Sequence, residues 1–156
     1  MHSDLTTLCV TPDRAFGEAV AQMDRSRLGI VLIVDEERRL VGTLTDGDVR
    51  RAILARVPLK APVSTLLVRK SGTPYARPIT APAGQDPGTY LGVLKQHDIL
   101  HLPLLDEEQR VAGLVTMEEF VPNPPLALQA VVMAGGQGRR LSPLTEDLPK
   151  PMLPVG

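Results

Sequence analysis

The chain has 156 residues, 17 Lys+Arg against 18 Asp+Glu, 43% apolar residues and 22% charged residues. Wholesale disorder is excluded by that apolar fraction, and a formal charge of -1 excludes a protein that coats nucleic acid through a general positive field. The longest apolar runs, Gly29–Val34 and Leu126–Gly136, are too short to span a bilayer, and the lone Cys9 excludes an internal disulfide.

In chain order, a short opening strand is expected at Leu8–Val10. Thr11-Pro12-Asp13 then reads as a helix start: Thr caps, Pro fits the first helical position, and Asp favours the positive helix end. Ala15, Phe16, Ala19, Val20 and Met23 give that helix one apolar face. Ile30–Val34 is a short β-branched run, hence a buried strand. Asp35–Arg39 is a polar turn, and Leu40–Thr45 closes a hairpin. Val49, Ala52 and Ile53 recur at helical spacing over Asp48–Ala55. Pro58 to Pro82 holds five prolines in twenty-five residues and is expected to be an ordered but irregular connector. Asp86-Pro87 caps a second helix carrying Leu91 and Leu94, Leu102–Asp106 is a strand, and Met117–Phe120 is a closing helix clipped by Pro122.

These elements repeat. At an offset of 71 positions, Asp35, Glu36, Glu37, Arg39, Gly42 and Thr45 fall on Asp106, Glu107, Glu108, Arg110, Gly113 and Thr116. Six identities in the twenty positions from Gly29 to Asp48 are modest, but polarity and turn placement match as well. Each half is too small to bury much surface alone, so two copies packed sheet against sheet are expected. The chain has no Trp and only two Tyr and two Phe. Its core must therefore be aliphatic, and stacking platforms for single-stranded nucleic acid are not expected.

Gly42-Thr-Leu-Thr-Asp-Gly-Asp48, following a strand that runs into Asp35, resembles the closing motif of a CBS domain, and its repetition resembles a tandem CBS pair, or Bateman module, over residues 8–121. The resemblance implies an α+β fold, each repeat about β-α-β-β-α, packed as a pseudo-twofold pair. It also implies sensing of an adenine nucleotide such as AMP or ATP in clefts between the copies, and a homodimer. A carboxylate can accept both hydroxyls of a ribose, a task for Asp48, while Thr45 can donate to a phosphate or ribose oxygen. Thr11 is a further contact by resemblance. Thr45 and Asp48 also suit simple helix capping, and the two readings stay open at this point. In the second copy Thr116 is kept, but Glu119 stands where Asp48 does, and its longer arm weakens the match. Arg50 and Arg51 suit an exposed helix face, or a phosphate. His97-Asp-Ile-Leu-His101 imitates a zinc-protease spacing. His101 falls at a strand mouth, however, so the rings would diverge and no metal site is assigned.

After Val121-Pro-Asn-Pro-Pro125, the apolar run at Ala127–Met133 leads into Ala134-Gly-Gly-Gln-Gly-Arg-Arg-Leu-Ser-Pro-Leu-Thr and Pro149-Lys-Pro-Met-Leu-Pro-Val. It lacks Gly-Lys-Ser/Thr and the third dinucleotide-fingerprint glycine. It resembles the opening signature of sugar-phosphate nucleotidyltransferases, which begin as an α/β strand and Gly-rich loop. By that resemblance Gly135, Gly136 and Gly138 wrap a nucleoside triphosphate (NTP), Arg140 neutralises its phosphates, and Lys150 binds charge at the reacting phosphates, with Mg²⁺ as the metal. Arg139 stands where a small hydroxyl residue is common. The implied reaction is attack by a sugar-1-phosphate on the α-phosphate, releasing pyrophosphate.

The expected organisation is therefore a first CBS repeat over 1–57, a Pro-rich connector over 58–77, a second repeat over 78–121, a linker over 122–126 and the truncated start of a nucleotidyltransferase domain over 127–156. This chain is expected to be catalytically incomplete by itself and to regulate the parent enzyme. The rival expectation is an assembly module that binds no ligand. The start of the chain lacks signal-peptide features, so a cytoplasmic location is expected, with neither nucleic-acid nor membrane partners.

Overall fold

The computed structural model describes residues 5–74 and 76–121. Within them, β1 (Cys9–Val10), α1 (Phe16–Ser26), β2 (Ile30–Val34), β3 (Leu40–Thr45), α2 (Asp46–Leu54) and α3 (Val63–Lys70) form a first repeat. A second repeat follows as β4 (Ala81–Pro82), α4 (Pro87–Gln96), β5 (His101–Leu105), β6 (Val111–Thr116) and a single 3-10 turn at Met117–Phe120. Each repeat holds a three-stranded sheet, β1-β2-β3 or β4-β5-β6, whose first pair is parallel and second antiparallel. The parallel pair needs a crossover, which α1 and α4 supply.

The duplication extends to individual backbone bonds. Ile30 pairs with Thr45 and His101 with Thr116; each hairpin then shifts register after Ile33 or Leu104, its counterpart. Both turns are built alike. Arg38 and Gln109 have φ of 66° and 64°. The Asp35 and Asp106 carboxylates accept from the Arg39 and Arg110 amides, each at 2.8 Å. Arg39 and Arg110, equivalent residues, also form an antiparallel bridge to one another across the boundary between the repeats.

Alternation along β2 divides the interior into layers. Val31 and Ile33 pack with Phe16, Ala19, Met23, Leu44 and Ala52 on the helical side. Ile30, Leu32 and Val34 point the other way and meet Leu105, Val111 and Leu114 of the second repeat. Every residue of β2 is thereby buried. Behind the second sheet, Leu102, Leu104 and Val115 pack on Tyr90 and Leu94. Burying one such leucine contributes about 1.5–3 kcal/mol, so the shared middle layer is a principal reason why two small halves form one body.

Three local expectations need correction. The first helix begins at Phe16, not at Thr11–Asp13, because residues 12–17 pair instead with residues 59–64: the Phe16 amide donates to the Ala61 carbonyl and the Ser64 amide to Pro12. The connector is not irregular throughout, since α3 lies within it and inserts Val63 and Leu66 into the first repeat's core. Gly42 makes room for this helix; a Cβ there would stand 2.7 Å from Leu67 Cδ2. Ile53, expected to face inward, is 60% exposed. The second helix keeps its expected cap, with the Asp86 side chain accepting from the Thr89 amide at 3.1 Å.

Candidate functional site

The end of β3 and the start of α2 position the two residues singled out in the first repeat. Thr45 is the N-cap of α2, in extended geometry, and Asp48 is the third residue of the helix. Asp48 Oδ2 accepts from the Thr45 amide at 3.0 Å and its hydroxyl at 3.1 Å. Capping is therefore present, but it is only part of the arrangement. Lys70, the last residue of α3, donates to the same Oδ2 at 2.9 Å and to the Thr43 carbonyl at 3.0 Å. Arg51, one turn into α2, donates to Oδ1 at 2.7 Å.

Asp48 and Lys70 are both nearly closed off, at 8% and 10% side-chain exposure, while Arg51 is 63% exposed. Burial pushes the Asp48 carboxyl up, but hydrogen bonds from Lys70, Arg51 and Thr45 outweigh it and hold the group below the usual aspartate range. Beside this cluster opens a cavity of about 350 Å³ lined by Asp48, Arg51, Ala52, Leu66, Arg69, Lys70, Thr73 and Pro74. Three cations and one carboxylate give its wall an excess of positive charge. A second cavity, of about 280 Å³, lies between α1 and the start of α2 and contains none of the residues expected to bind a ligand.

Thr11 stands in the turn after β1, where its hydroxyl hydrogen-bonds to Asp13 and holds that carboxyl below its usual range. In the second repeat, Thr116 caps the 3-10 turn and its amide donates to Glu119 Oε1 at 3.2 Å. Glu119 is exposed, unlike its counterpart Asp48. The Gly-rich loop residues Gly135, Gly136 and Gly138, together with Arg140 and Lys150, lie outside the described residues.

Lys70 is the member of the candidate site that sequence reasoning missed. A signal was there: Val63, Leu66 and Leu67 recur at helical spacing, and one further turn reaches Lys70 on the same face. The histidine pair separates as expected. His97 is the exposed C-cap of α4, whereas His101 Nε2 lies 2.7 Å from the Leu28 carbonyl oxygen across the repeat boundary. A carbonyl only accepts, so this nitrogen donates. Burial lowers the His101 pKa, against the opposing pull of that bond and of Glu118 and Asp46.

Comparison with known proteins agrees with this architecture. The CBS domain family model matches residues 1–55. A CBS domain protein from Pyrobaculum aerophilum complexed with AMP superposes with a TM-score of 0.62 at 14% identity, over 78% of this chain and 91% of that one. Residues 5–121 have the fold of a CBS domain pair. Another such pair, solved with 5'-methylthioadenosine and S-adenosyl-L-methionine, matches with a TM-score of 0.57 at 21% identity, over 72% of this chain and 87% of that one.

Among curated relatives, inosine-5'-monophosphate dehydrogenase of Aquifex aeolicus is 30% identical over 117 residues, covering 75% of this chain and 22% of the enzyme. Arabinose 5-phosphate isomerase of Yersinia pestis is 30% identical over 114 residues, covering 64% of this chain and 35% of the enzyme. The chain thus spans about a third or less of the relatives it matches. After the CBS pair, residues 129–156 match the nucleotidyl transferase family model. No helix among the described residues is long and apolar enough to cross a membrane.

Proposed function

We propose that the CBS pair is the regulatory part of a sugar-1-phosphate nucleotidyltransferase and senses an adenine nucleotide in the groove of its first repeat. The observation that carries this reading is the groove between the first turns of α2 and the end of α3, where the Asp48 carboxylate stands among Arg51, Arg69 and Lys70. Asp48 supplies the acceptor for ribose hydroxyls, and the three cations supply partners for phosphate. A volume of about 350 Å³ reaches the range of roughly 300–1,000 Å³ in which small-molecule sites fall. The AMP and S-adenosyl-L-methionine complexes of structurally similar CBS proteins support the adenine part of the reading. The nucleotidyl transferase match at 129–156 supports the catalytic part. On this reading Gly135, Gly136, Gly138, Arg140 and Lys150 belong to the catalytic part and hold an NTP with Mg²⁺.

Regulation requires that the ligand bind two states of the protein unequally. In the groove those states differ in the pairing of Asp48, whose donors come from two helices separated in sequence. Calorimetry of the 156-residue chain with AMP, ATP and S-adenosyl-L-methionine tests the proposal. AMP or ATP should bind, and Asp48→Ala should weaken binding at least about tenfold, the loss of a charge-assisted bond. Heat from none of the three ligands rejects the sensor.

A second reading, an assembly module, draws on different side chains. Ile53 and Leu54 of α2 and Val68 of α3 are 60%, 78% and 71% exposed. Apolar groups held in water suit a second copy of the chain as partner. Sedimentation that shows a dimer unaffected by nucleotide, together with silent calorimetry, favours this reading.

A further inference from the structure

Asp48 is crowded with donors. A carboxylate offers about four lone-pair positions, and here the Thr45 amide, the Thr45 hydroxyl, Lys70 and Arg51 all donate to it. A vicinal ribose diol places one hydroxyl on each carboxylate oxygen. Oδ1 accepts from Arg51 alone and has room for one, whereas Oδ2 already takes three donors and must shed some of them. Oδ1 gives up Arg51 readily, because that guanidinium is exposed and can turn to water. Oδ2 is different. The Thr45 amide is fixed in the helix cap, and turning the Thr45 hydroxyl away only brings Oδ2 down to two donors, so the donor that must also leave is Lys70, which is nearly buried. An ammonium released in that position keeps only the neutral Thr43 carbonyl, and a buried charge without an anion is costly.

We propose that Lys70 makes the groove selective for phosphorylated ligands by exchange. The lysine leaves Asp48 for an incoming phosphate as the ribose hydroxyls take its place on the carboxylate. A nucleoside without phosphate brings the hydroxyls but no anion, and it is refused. Arg69 and Arg51, in the same groove wall, add to the preference for anionic ligands. The proposal rests on the sensor reading and assigns the discriminating step within it to Lys70, a positioning and specificity-determining residue.

The test compares AMP with adenosine on the wild-type chain and on Lys70→Met and Lys70→Gln, by calorimetry, with circular dichroism to establish folding. The wild type should bind AMP at least about tenfold more tightly than adenosine. In either Lys70 variant the ratio should fall to within about threefold, through stronger adenosine binding as well as weaker AMP binding. A structural role alone would weaken both ligands together and leave the ratio unchanged. Wild-type binding of adenosine as tight as that of AMP overturns the exchange and leaves the sensor standing, even if no variant folds. A preference that survives in a folded Lys70 variant does the same. Failure of both ligands to bind wild type and variants overturns the sensor, and the exchange with it.

Discussion

The two repeats share a hairpin down to its register shift and its left-handed turn residue, then part company at the next element. In the first, α2 runs for nine residues and buries Asp48 against Lys70. In the second, the equivalent segment is a four-residue 3-10 turn that leaves Glu119 exposed. The cause can be read in residue types. At the position equivalent to Arg51 stands Pro122, with Pro124 and Pro125 close behind, and none of these can donate a helical hydrogen bond. The comparison teaches that duplication preserved the part that joins the halves and relaxed the part that could bind a ligand.

The sharpest way to break that comparison is to remove the charge that only the first repeat has. Lys70→Met should cost about 3–5 kcal/mol, the usual penalty for breaking a buried ion pair by removing one partner. Glu119→Gln in the second repeat should change stability by less than about 0.5 kcal/mol. Urea melts of both variants at pH 7 measure the contrast, and equal losses would abolish it. Acid extends this test. The Asp48 carboxyl lies below its unfolded value in the native protein, so its contribution is complete above about pH 4 and fades as pH falls through the lower native value. The stability gap between wild type and Asp48→Asn should accordingly narrow as pH falls from about 4 through the lower native value.

A smaller loss should appear where the repeats cooperate. Leu32→Ala hollows the layer that both sheets share and should cost about 2–5 kcal/mol. Because the layer belongs to both halves, its thermal unfolding should remain a single transition at lower temperature. Two separated transitions would mean that the repeats fold independently. The smallest effect tests the symmetry itself. Replacing Arg38 or Gln109 by Gly relieves a left-handed residue in each turn, and both variants should gain up to about 1 kcal/mol. A gain in one turn and a loss in the other would show that the hairpins are alike in outline only.

Much of this fold was legible because its signals are local. Ile30–Val34 and Leu40–Thr45 are apolar and β-branched at strand spacing, and the match of Asp35 to Asp106 and Gly42 to Gly113 exposes the duplication directly. The site was legible only in part. Thr45 and Asp48 can be picked out by spacing, since an N-cap and the third helical residue are neighbours in sequence. Lys70 is 22 residues from Asp48, and only the docking of α3 over Gly42 brings the two together. The prolines between Pro58 and Pro82 obscured that helix. Pro62 is its N-cap, however, and α3 runs uninterrupted to Lys70 before Pro74. The Thr11 turn misled for a related reason. Its Pro and Asp suit a helix start equally well, and only pairing with residues 59–64 decides against one.

The bridge between Arg39 and Arg110 joins a residue to its own image. Such a contact arises at a self-complementary surface, where one patch meets an identical patch about a twofold axis. An ancestral single repeat with that patch could close on a sister molecule in the same fashion, but only above a threshold concentration. Fusing two copies on one polypeptide turns that encounter into an intramolecular one, at an effective concentration on the order of millimolar set by the tether. Once the partner is guaranteed, the copies are free to specialise, one keeping a charged pocket while the other becomes its scaffold.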